Sequence, residues 1–567
     1  MKLFFKIVIL FILFCQIGKA QTAYPQTYFS SPTKHPIKLA GTFGELRSNH
    51  FHAGIDIKSS KGDEGDPIVA AADGYVSRIG VKPTGYGNAL YIDHPNGYTT
   101  VYGHLQKFDP TIAKYVKQKQ YEAKKFHVDF SPPLDSFFFK KGDIIGYMGN
   151  TGSSGGAHLH FEIRNTKSEV PINPLLFGYE VADNRKPYFR GLKAYLLDGK
   201  NEAYESQKIP IKRKKDKSYH VSGDTVKIGA WRTALSIYAL DQLNGAPNRN
   251  GIFAMYLYID DTLKFHFTMD DIGFFESKYL NAHLDYAHYK KSRGKYTRLF
   301  KLPNNQLSIY DSFYHDGIIK LYQSKPRKVN IKCLDLKGNE QELEFYLLRD
   351  KEMRIPKVKT HNYLLLCKEE NKIETPDLKV HFPKDALYND LYLDYEELDE
   401  NSNYTYSKTH ILDGDSIPIH KPFDIQIKAK EIPESIKSKA FIALCKGNRV
   451  AYTGGKWEGD FLKSKAYGLG KYVIMLDQIS PTITPYKDAT KTNVKGKINF
   501  KIEDNYSIAS YNGYINGQWV LMEYDAKKDK LYHVFEKDMV KGNFEFKLEV
   551  GDARGNVTVF TRDYKLQ

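Results

Sequence analysis

Two strings of the chain, His52-Ala53-Gly54-Ile55-Asp56 and His158-Leu159-His160, stand more than a hundred residues apart and carry three imidazoles and a carboxylate between them. A catalytic zinc site takes about three protein ligands of these types and keeps one position open. His158 and His160 are two apart, which puts them on one face of a β-strand. His52 and Asp56 are four apart, which is one face of a strand or of a helix. Gly54 and the β-branched Ile55 and Ile57 favour the strand. The spacing predicts two strands, each turning a pair of metal-binding groups the same way. On spacing alone the strings offer four candidate ligands for one metal.

The rest of the chain sets the frame. At 567 residues it has room for three to five domains, and 41% hydrophobic with 26% charged residues is the composition of a chain with ordinary cores. Its 42 tyrosines and 33 phenylalanines lean towards β structure. The segment Met1 to Ala20 has a basic start, an apolar run to Phe14 and a small-residue end at Gly18-Lys19-Ala20. It reads as a secretory signal cut after Ala20, too short for a membrane span. Phe14 before Cys15 argues against lipidation, and no later segment is expected to cross a membrane.

Loss of Lys2, Lys6 and Lys19 with the signal lowers the formal charge from +16 to +13. The lysines are spread along the chain with no nucleic-acid module, so a solvated basic surface is expected and no nucleic-acid partner. The remaining Cys333, Cys367 and Cys445 are too few for a disulfide framework. Each ends an apolar strand-like string and is expected as a buried thiol.

Residues 21–184 are rich in glycine turns and short strands, with Asn96-Gly97 as a hairpin signal. Asp109-Pro110 is set to cap a helix to about Lys125, with Ile112, Tyr115, Val116 and Tyr121 as its apolar stripe. It reads as a packed decoration. The rest reads as β domains with proline-containing joints near Arg185, Pro356 and Pro481, giving segments 185–355, 356–480 and 481–567. A turn echoes through them: Asp241-Gln-Leu-Asn-Gly245, Asp335-Leu-Lys-Gly-Asn339 and Asp552-Ala-Arg-Gly-Asn556. Such turns occur near the ends of immunoglobulin-like sandwiches.

Six histidines lie near glycine-rich turns of the first segment: His50, His52, His94, His104, His158 and His160. His94, beside Pro95 at a hairpin, reads as a hydrogen-bonded polar group. The local pattern leaves His50 open as a ligand.

With these residues in view, about 40 to 177 resembles the LytM and lysostaphin type of zinc peptidase, which cuts peptide bonds in bacterial peptidoglycan. The matching strings, in the family's order, are His52-Ala-Gly-Ile-Asp56-Ile57, Gly65 through Gly74, Gly85-Tyr-Gly-Asn88, Tyr102-Gly-His-Leu105, Lys141-Gly-Asp-Ile-Ile-Gly146, Gly152 through Glu162 and Asn173-Pro174. The resemblance implies that His52, Asp56 and His160 hold Zn2+ and that His104 and His158 are the catalytic histidines. His50 has no role in that pattern. Gly103 stands where the family has alanine and Ala157 where it commonly has proline; neither change removes a ligand. Glu162, on the strand face of His160, is a candidate to orient it, beside the alternative of a surface ion pair.

The fold class expected is mostly β. An N-terminal antiparallel β-sheet peptidase domain, LytM-like with a lipoyl-hybrid-like core, precedes immunoglobulin-like sandwiches. The function implied is a secreted or periplasmic metalloendopeptidase acting on peptidoglycan peptides through zinc-activated water. Its C-terminal domains are expected to bind envelope proteins or glycans. Gly85, Gly87, Gly152, Gly155 and Gly156 read as positive-φ positions that let an extended substrate approach. The alternative is a catalytically silent envelope protein that activates other wall hydrolases. Gly74-Tyr-Val and Lys140-Lys-Gly-Asp also fit a lipoyl-like carrier, which has no use for the histidines.

Overall fold

A computed structural model describes residues 24–197, 203–310, 316–322, 325–353, 361–399, 404–414, 416–536 and 541–567. The secretory signal over 1–20 and the joint at Pro356 lie outside the described residues. Strands dominate throughout. Among the described residues no helix is long and apolar enough to cross a membrane.

The first body is built from two sheets. The larger runs β1 (Leu39–Gly41), β2 (Ile55–Lys58), β11 (His158–Asn165), β6 (Tyr98–Gly103), β5 (Asn88–Asp93), β4 (Gly74–Val81) and β8 (Val128–Phe130) in spatial order, with β9 (Phe138–Phe139) on β4 and β12 (Pro171–Ile172) on β11. The smaller is β3 (Pro67–Val69), β10 (Ile144–Tyr147) and β7 (Lys107–Phe108). The pairings are antiparallel.

Period-two alternation decides which side chains reach the site. Ile55 and Ile57 of β2, Leu159, Phe161 and Ile163 of β11, Tyr102 of β6 and Leu90 and Ile92 of β5 enter one core, which Ile68 and Ile145 of the smaller sheet complete. The alternate residues, Asp56 and His158, His160, Glu162 and Arg164, occupy the opposite face. That face carries its own small apolar cluster of Ala89, Tyr91 and Val101 with Tyr86 packed on it. A one-residue slip of β11 would exchange the histidines for leucine and phenylalanine, so the core fixes the register of the polar face.

The helix spans Pro110–Ala123, capped by Asp109, whose carboxylate accepts from Thr111 N, and closed by Lys124 at φ 47°. Ile112 and Val116 are buried as expected, but Gln120 takes the third buried position. Tyr121 turns outward and meets Trp519 edge-on at 5.4 Å. The helix therefore serves as a docking surface for the C-terminal body as well as a decoration. Lys117 pairs with Glu536 at 2.5 Å, and Lys527 Nζ donates to the carbonyls of Asn150 and Ser154.

Beyond the first body, strands within Tyr188–Arg349 form two five-stranded sheets over a core that also takes in Phe43 and Phe51. Strands of Asn371–Leu476 form two more over a core containing Phe382, Phe423 and Tyr472. Those of Thr482–Leu566 form a four- and a five-stranded sheet around Phe500 and Phe546. The turns at Asp335–Asn339 and Asp552–Asn556 each join two paired strands. Asp241 instead opens a longer loop that returns to it at Asn250. Cys333 and Cys367 are buried free thiols, whereas Cys445 is half-buried.

Candidate metal centre

The antiparallel register sets His160 opposite Asp56 across β11 and β2, and opposite Gly103 across β11 and β6. His52 does not lie on β2, contrary to the expectation of one strand for the pair. The strand begins at Ile55, and His52 reaches Asp56 from the preceding loop. There its backbone pairs with Glu45 and Gly44. Gly54 permits this bend, since a Cβ there would lie 2.2 Å from the Phe161 carbonyl.

Three ligand atoms meet. His52 Nε2 is 2.9 Å from Asp56 Oδ1, His160 Nδ1 is 3.0 Å from the same oxygen, and the two nitrogens are 3.0 Å apart. The far ring nitrogens explain why all three can offer lone pairs. His52 Nδ1 donates to the Thr42 carbonyl at 2.7 Å, which leaves Nε2 as the acceptor. His160 Nε2 donates to Glu162 Oε1 at 2.8 Å, which leaves Nδ1 as the acceptor. Three buried lone-pair atoms facing one another repel unless a positive charge sits among them. The electrostatics agree. Burial opposes charge on His160, but the hydrogen bonds of Asp56 and Glu162 outweigh it and hold the ring up at about 9, so with no cation among the three atoms a proton on Nδ1 supplies the positive charge, and a bound metal would displace it. Two imidazole nitrogens and one carboxylate oxygen are a donor set that suits zinc.

The two other histidines flank this triad. His158 Nδ1 donates to the Gly156 carbonyl at 2.8 Å, and its Nε2 lies 3.4 Å from Asp56 Oδ1. His104 Nδ1 donates to the Thr151 carbonyl at 2.8 Å, and its ring centroid is 4.9 Å from that of His158. Burial, then the neighbouring His160 and His158, push His104 down to about 3, so it is a neutral ring at physiological pH. It sits at φ 61°, a conformation costing of order 1 kcal/mol or more for a side-chain-bearing residue. Its N–H to the Tyr86 carbonyl at 2.8 Å holds it there.

Other expected residues fall elsewhere. His50 is exposed in a turn and is not part of the triad. His94 is buried, with its nitrogens on the Asp73 carbonyl and Thr100 Oγ1, both at 2.8 Å. Glu162 is 0% exposed, so the surface ion pair is excluded. Burial works against its charge, but Arg164 and His160 hold it down at about 2.

Sequence reading missed four supports: Thr42 behind His52, Tyr86, whose hydroxyl donates to Glu162 at 2.5 Å, Arg164 Nε at 2.6 Å from Glu162, and Arg47. Arg47 Nη2 is 2.9 Å from Asp56 Oδ2 and engages the outer oxygen, leaving Oδ1 for the triad. Tyr86 and Arg164 stood within or beside matched strings. Arg47 comes in from a turn closed by the Leu46–Phe51 bridge, for which the sequence carries no local signal.

The glycines also differ from expectation. Gly85, Gly87 and Gly152 have positive φ, whereas Gly155 and Gly156 do not. The close approach at Gly87 and Gly152 is between two loops of the protein itself. A Cβ on Gly152 would lie 2.3 Å from Gly87 N, and one on Gly87 would lie 2.3 Å from Thr151 Oγ1.

An antiparallel β domain here carries a buried His-Asp-His triad with two flanking histidines, an arrangement that could hold a metal beside groups able to move protons. Residues 50–124 and 138–174 match the model of Peptidase family M23. Residues 362–477 match the model of a Zu5-like domain. The chain is 34% identical over 152 residues to a DD-carboxypeptidase/endopeptidase Mpg of Neisseria meningitidis serogroup B, which covers 26% of each protein. It is 33% identical over 156 residues to the murein hydrolase activator NlpD of Escherichia coli, covering 28% of this chain and 32% of that one. The match thus spans about a quarter to a third of these relatives. Among solved structures, the catalytic domain of the prophage-encoded M23 protein EnpA from Enterococcus faecalis is 24% identical, with 28% of this chain and 98% of that one covered and a TM-score of 0.19. The lysostaphin catalytic domain from Staphylococcus simulans is 24% identical, with 25% and 93% covered and a TM-score of 0.19.

Proposed function

We propose that this chain is a secreted, zinc-dependent endopeptidase of the bacterial envelope that hydrolyses peptide bonds in peptidoglycan cross-links or stem peptides. The observation that carries this reading is the lone-pair triad of His52 Nε2, Asp56 Oδ1 and His160 Nδ1, whose two far nitrogens are tied to Thr42 and Glu162. These three residues would hold Zn2+. Bound there, zinc supplies a Lewis acid that acidifies water and polarises a carbonyl.

The chain's own contribution is proton handling and positioning. His104 and His158 each commit Nδ1 to a backbone carbonyl, so each presents Nε2 as a proton acceptor. Such a ring can take a proton from the attacking water and return it to the leaving amine. Protonated, it can also stabilise charge developing on the scissile carbonyl oxygen.

The second reading is an envelope protein that binds and regulates wall hydrolases without cutting. It draws on a relative named as a murein hydrolase activator, whose identity to this chain is nearly equal to that of the named endopeptidase. Incubation of the chain from Gln21 onward with peptidoglycan separates the two. New α-amino groups that depend on His104 and His158 support the peptidase. Zinc binding with no new amino groups, together with stimulation of a separate wall hydrolase, supports the regulator.

A further inference from the structure

One loop of the first body serves both flanking histidines. A bridge between Gly149 and His158 closes it. In its first half the Thr151 carbonyl accepts from His104 Nδ1 at 2.8 Å. In its second half the Gly156 carbonyl accepts from His158 Nδ1 at 2.8 Å, and Ser154 Oγ lies 3.2 Å from the same nitrogen. The direction of these two carbonyls therefore decides where His104 and His158 present Nε2.

The two halves are not held alike. Thr151 Oγ1 accepts from Asn88 N at 2.9 Å and donates to the Leu105 carbonyl at 3.0 Å. Ser153 N donates to the Gly85 carbonyl at 2.8 Å, and Ser153 Oγ accepts from Gly85 N at 2.9 Å. Both ties anchor the first half on the sheet's own loops. The second half lacks their equivalent. Ser154 Oγ is spent within the loop, donating to the Gly156 carbonyl at 2.8 Å. Gly155 and Gly156 are exposed, and a Cβ on either would meet nothing within 4 Å. Successive glycines in open space have more backbone freedom than any other pair. Among the described residues, one hydrogen bond reaches 154–157 from outside the loop, and its donor is Lys527 of the last body.

Lys527 stands on a hairpin turn between Glu523–Asp525 and Lys530–Val534. Its own N–H donates to Asp525 Oδ1 at 3.1 Å, which steadies the turn. Its Nζ donates to the carbonyls of Asn150 and Ser154, the latter at 3.2 Å, and lies 3.3 Å from Asn150 Oδ1. An ammonium carries three N–H donors, and these three oxygens match them across both halves of the loop. Hydrogen bonds from a cation are roughly twice as strong as those between neutral groups. The body that carries Lys527 is seated by two more contacts, Lys117 with Glu536 at 2.5 Å and Tyr121 edge-on to Trp519 at 5.4 Å. Both fall on the helix Pro110–Ala123, so the hairpin reaches the loop from a body that is held at a second place.

We propose that Lys527 is a positioning residue of the peptidase site. It holds Asn150 and Ser154 so that the Thr151 and Gly156 carbonyls aim His104 and His158, and cleavage reaches its full rate only with the last body docked. This inference rests on the peptidase reading given above. It adds a role for the last body, which acts through the loop and touches neither the metal ligands nor the substrate.

The chain from Gln21 onward, loaded with zinc and given soluble cross-linked peptidoglycan fragments, tests this. Lys527→Ala is expected to lower kcat by about 2- to 30-fold, with KM and zinc content as in wild type. Amide hydrogen exchange is expected to quicken at Ser153 and His158, whose N–H groups bond Gly85 and Gly149. Lys527→Arg keeps a cationic donor and is expected to recover most of both effects. Lys528→Ala, one residue along the turn and paired only with Asp525 at 3.8 Å, is the control and is expected to change neither. Wild-type kcat in Lys527→Ala, or wild-type exchange at Ser153 and His158, would overturn the proposal. A wild-type chain that does not cleave would instead defeat the peptidase reading. The exchange comparison then decides for or against Lys527 as the tie that holds the loop.

Discussion

His160 Nε2 stands 2.8 Å from Glu162 Oε1, two residues along the same strand, and both side chains are buried. This contact sets the tautomer of His160 and so aims Nδ1 at Asp56. Glu162→Gln keeps the volume and removes the charge. Metal affinity is expected to fall about 10- to 100-fold, as read by competition with a chelator. An unchanged affinity would mean that Glu162 only partners Arg164 and Tyr86.

The proposed function assigns proton handling to His104 and His158, and metal binding to His52, Asp56 and His160. His104→Ala and His158→Ala are each expected to keep bound zinc and to lower peptide cleavage by about two to four orders of magnitude. Metal analysis beside a cleavage assay checks both. Loss of zinc in His158→Ala would move that residue into the ligand set, which its 3.4 Å distance from Asp56 makes a pointed test.

The Gly87–Gly152 crossing holds Thr151, whose carbonyl orients His104. Gly152→Ala places a Cβ against backbone at a φ of 68°. It is expected to destabilise the domain by about 1–3 kcal/mol and to lower activity more than zinc content. Chemical denaturation and metal analysis measure the two effects. Gly155→Ala, in open space at an ordinary φ, is the control and is expected to change neither.

Acid stability follows from neutral histidines outside the triad, of which His283 and His410 are buried and His420 is half-buried. Burial holds His283 at about 3 and His410 and His420 at about 4, below the ordinary value of about 6.5. Their folded pKa values are depressed, so the unfolded chain takes up protons first as pH falls. The stability they contribute is present above pH 6.5 and is lost as pH falls towards 3 to 4, with a slope of about 1.4 kcal/mol per pH unit for each such group. Thermal midpoints from pH 7 to 4 are expected to fall, less steeply in His283→Gln if that variant folds natively. A flat profile would contradict the assignment.

The site was legible where chemistry and period coincide on one strand. His158-Leu-His160-Phe-Glu162 alternates polar and apolar residues, and the same alternation makes the core and the triad. Loop geometry was not legible. His52 reaches Asp56 from a bend rather than along a strand, because the Phe161 carbonyl leaves room only for the bare Gly54. Arg47 is brought in by a turn whose closure depends on Phe51 packing into the next body's core. Gly87 and Gly152 have the positive φ expected of them, but the close approach there is between their own two loops. The helix's outer face, with Tyr121 and Lys117, makes sense only once Trp519 and Glu536, some four hundred residues later, fold back onto it.

The central claim is that His160 holds a zinc ion on which cleavage depends. Zinc content and release of new amino groups from peptidoglycan, measured on the same preparations of wild type and His160→Ala, test it most directly. The expected result is about one zinc per wild-type chain, with both zinc and cleavage lost in the variant. A wild-type chain without stoichiometric zinc, or a variant that matches it in metal content and cleavage, would contradict the account.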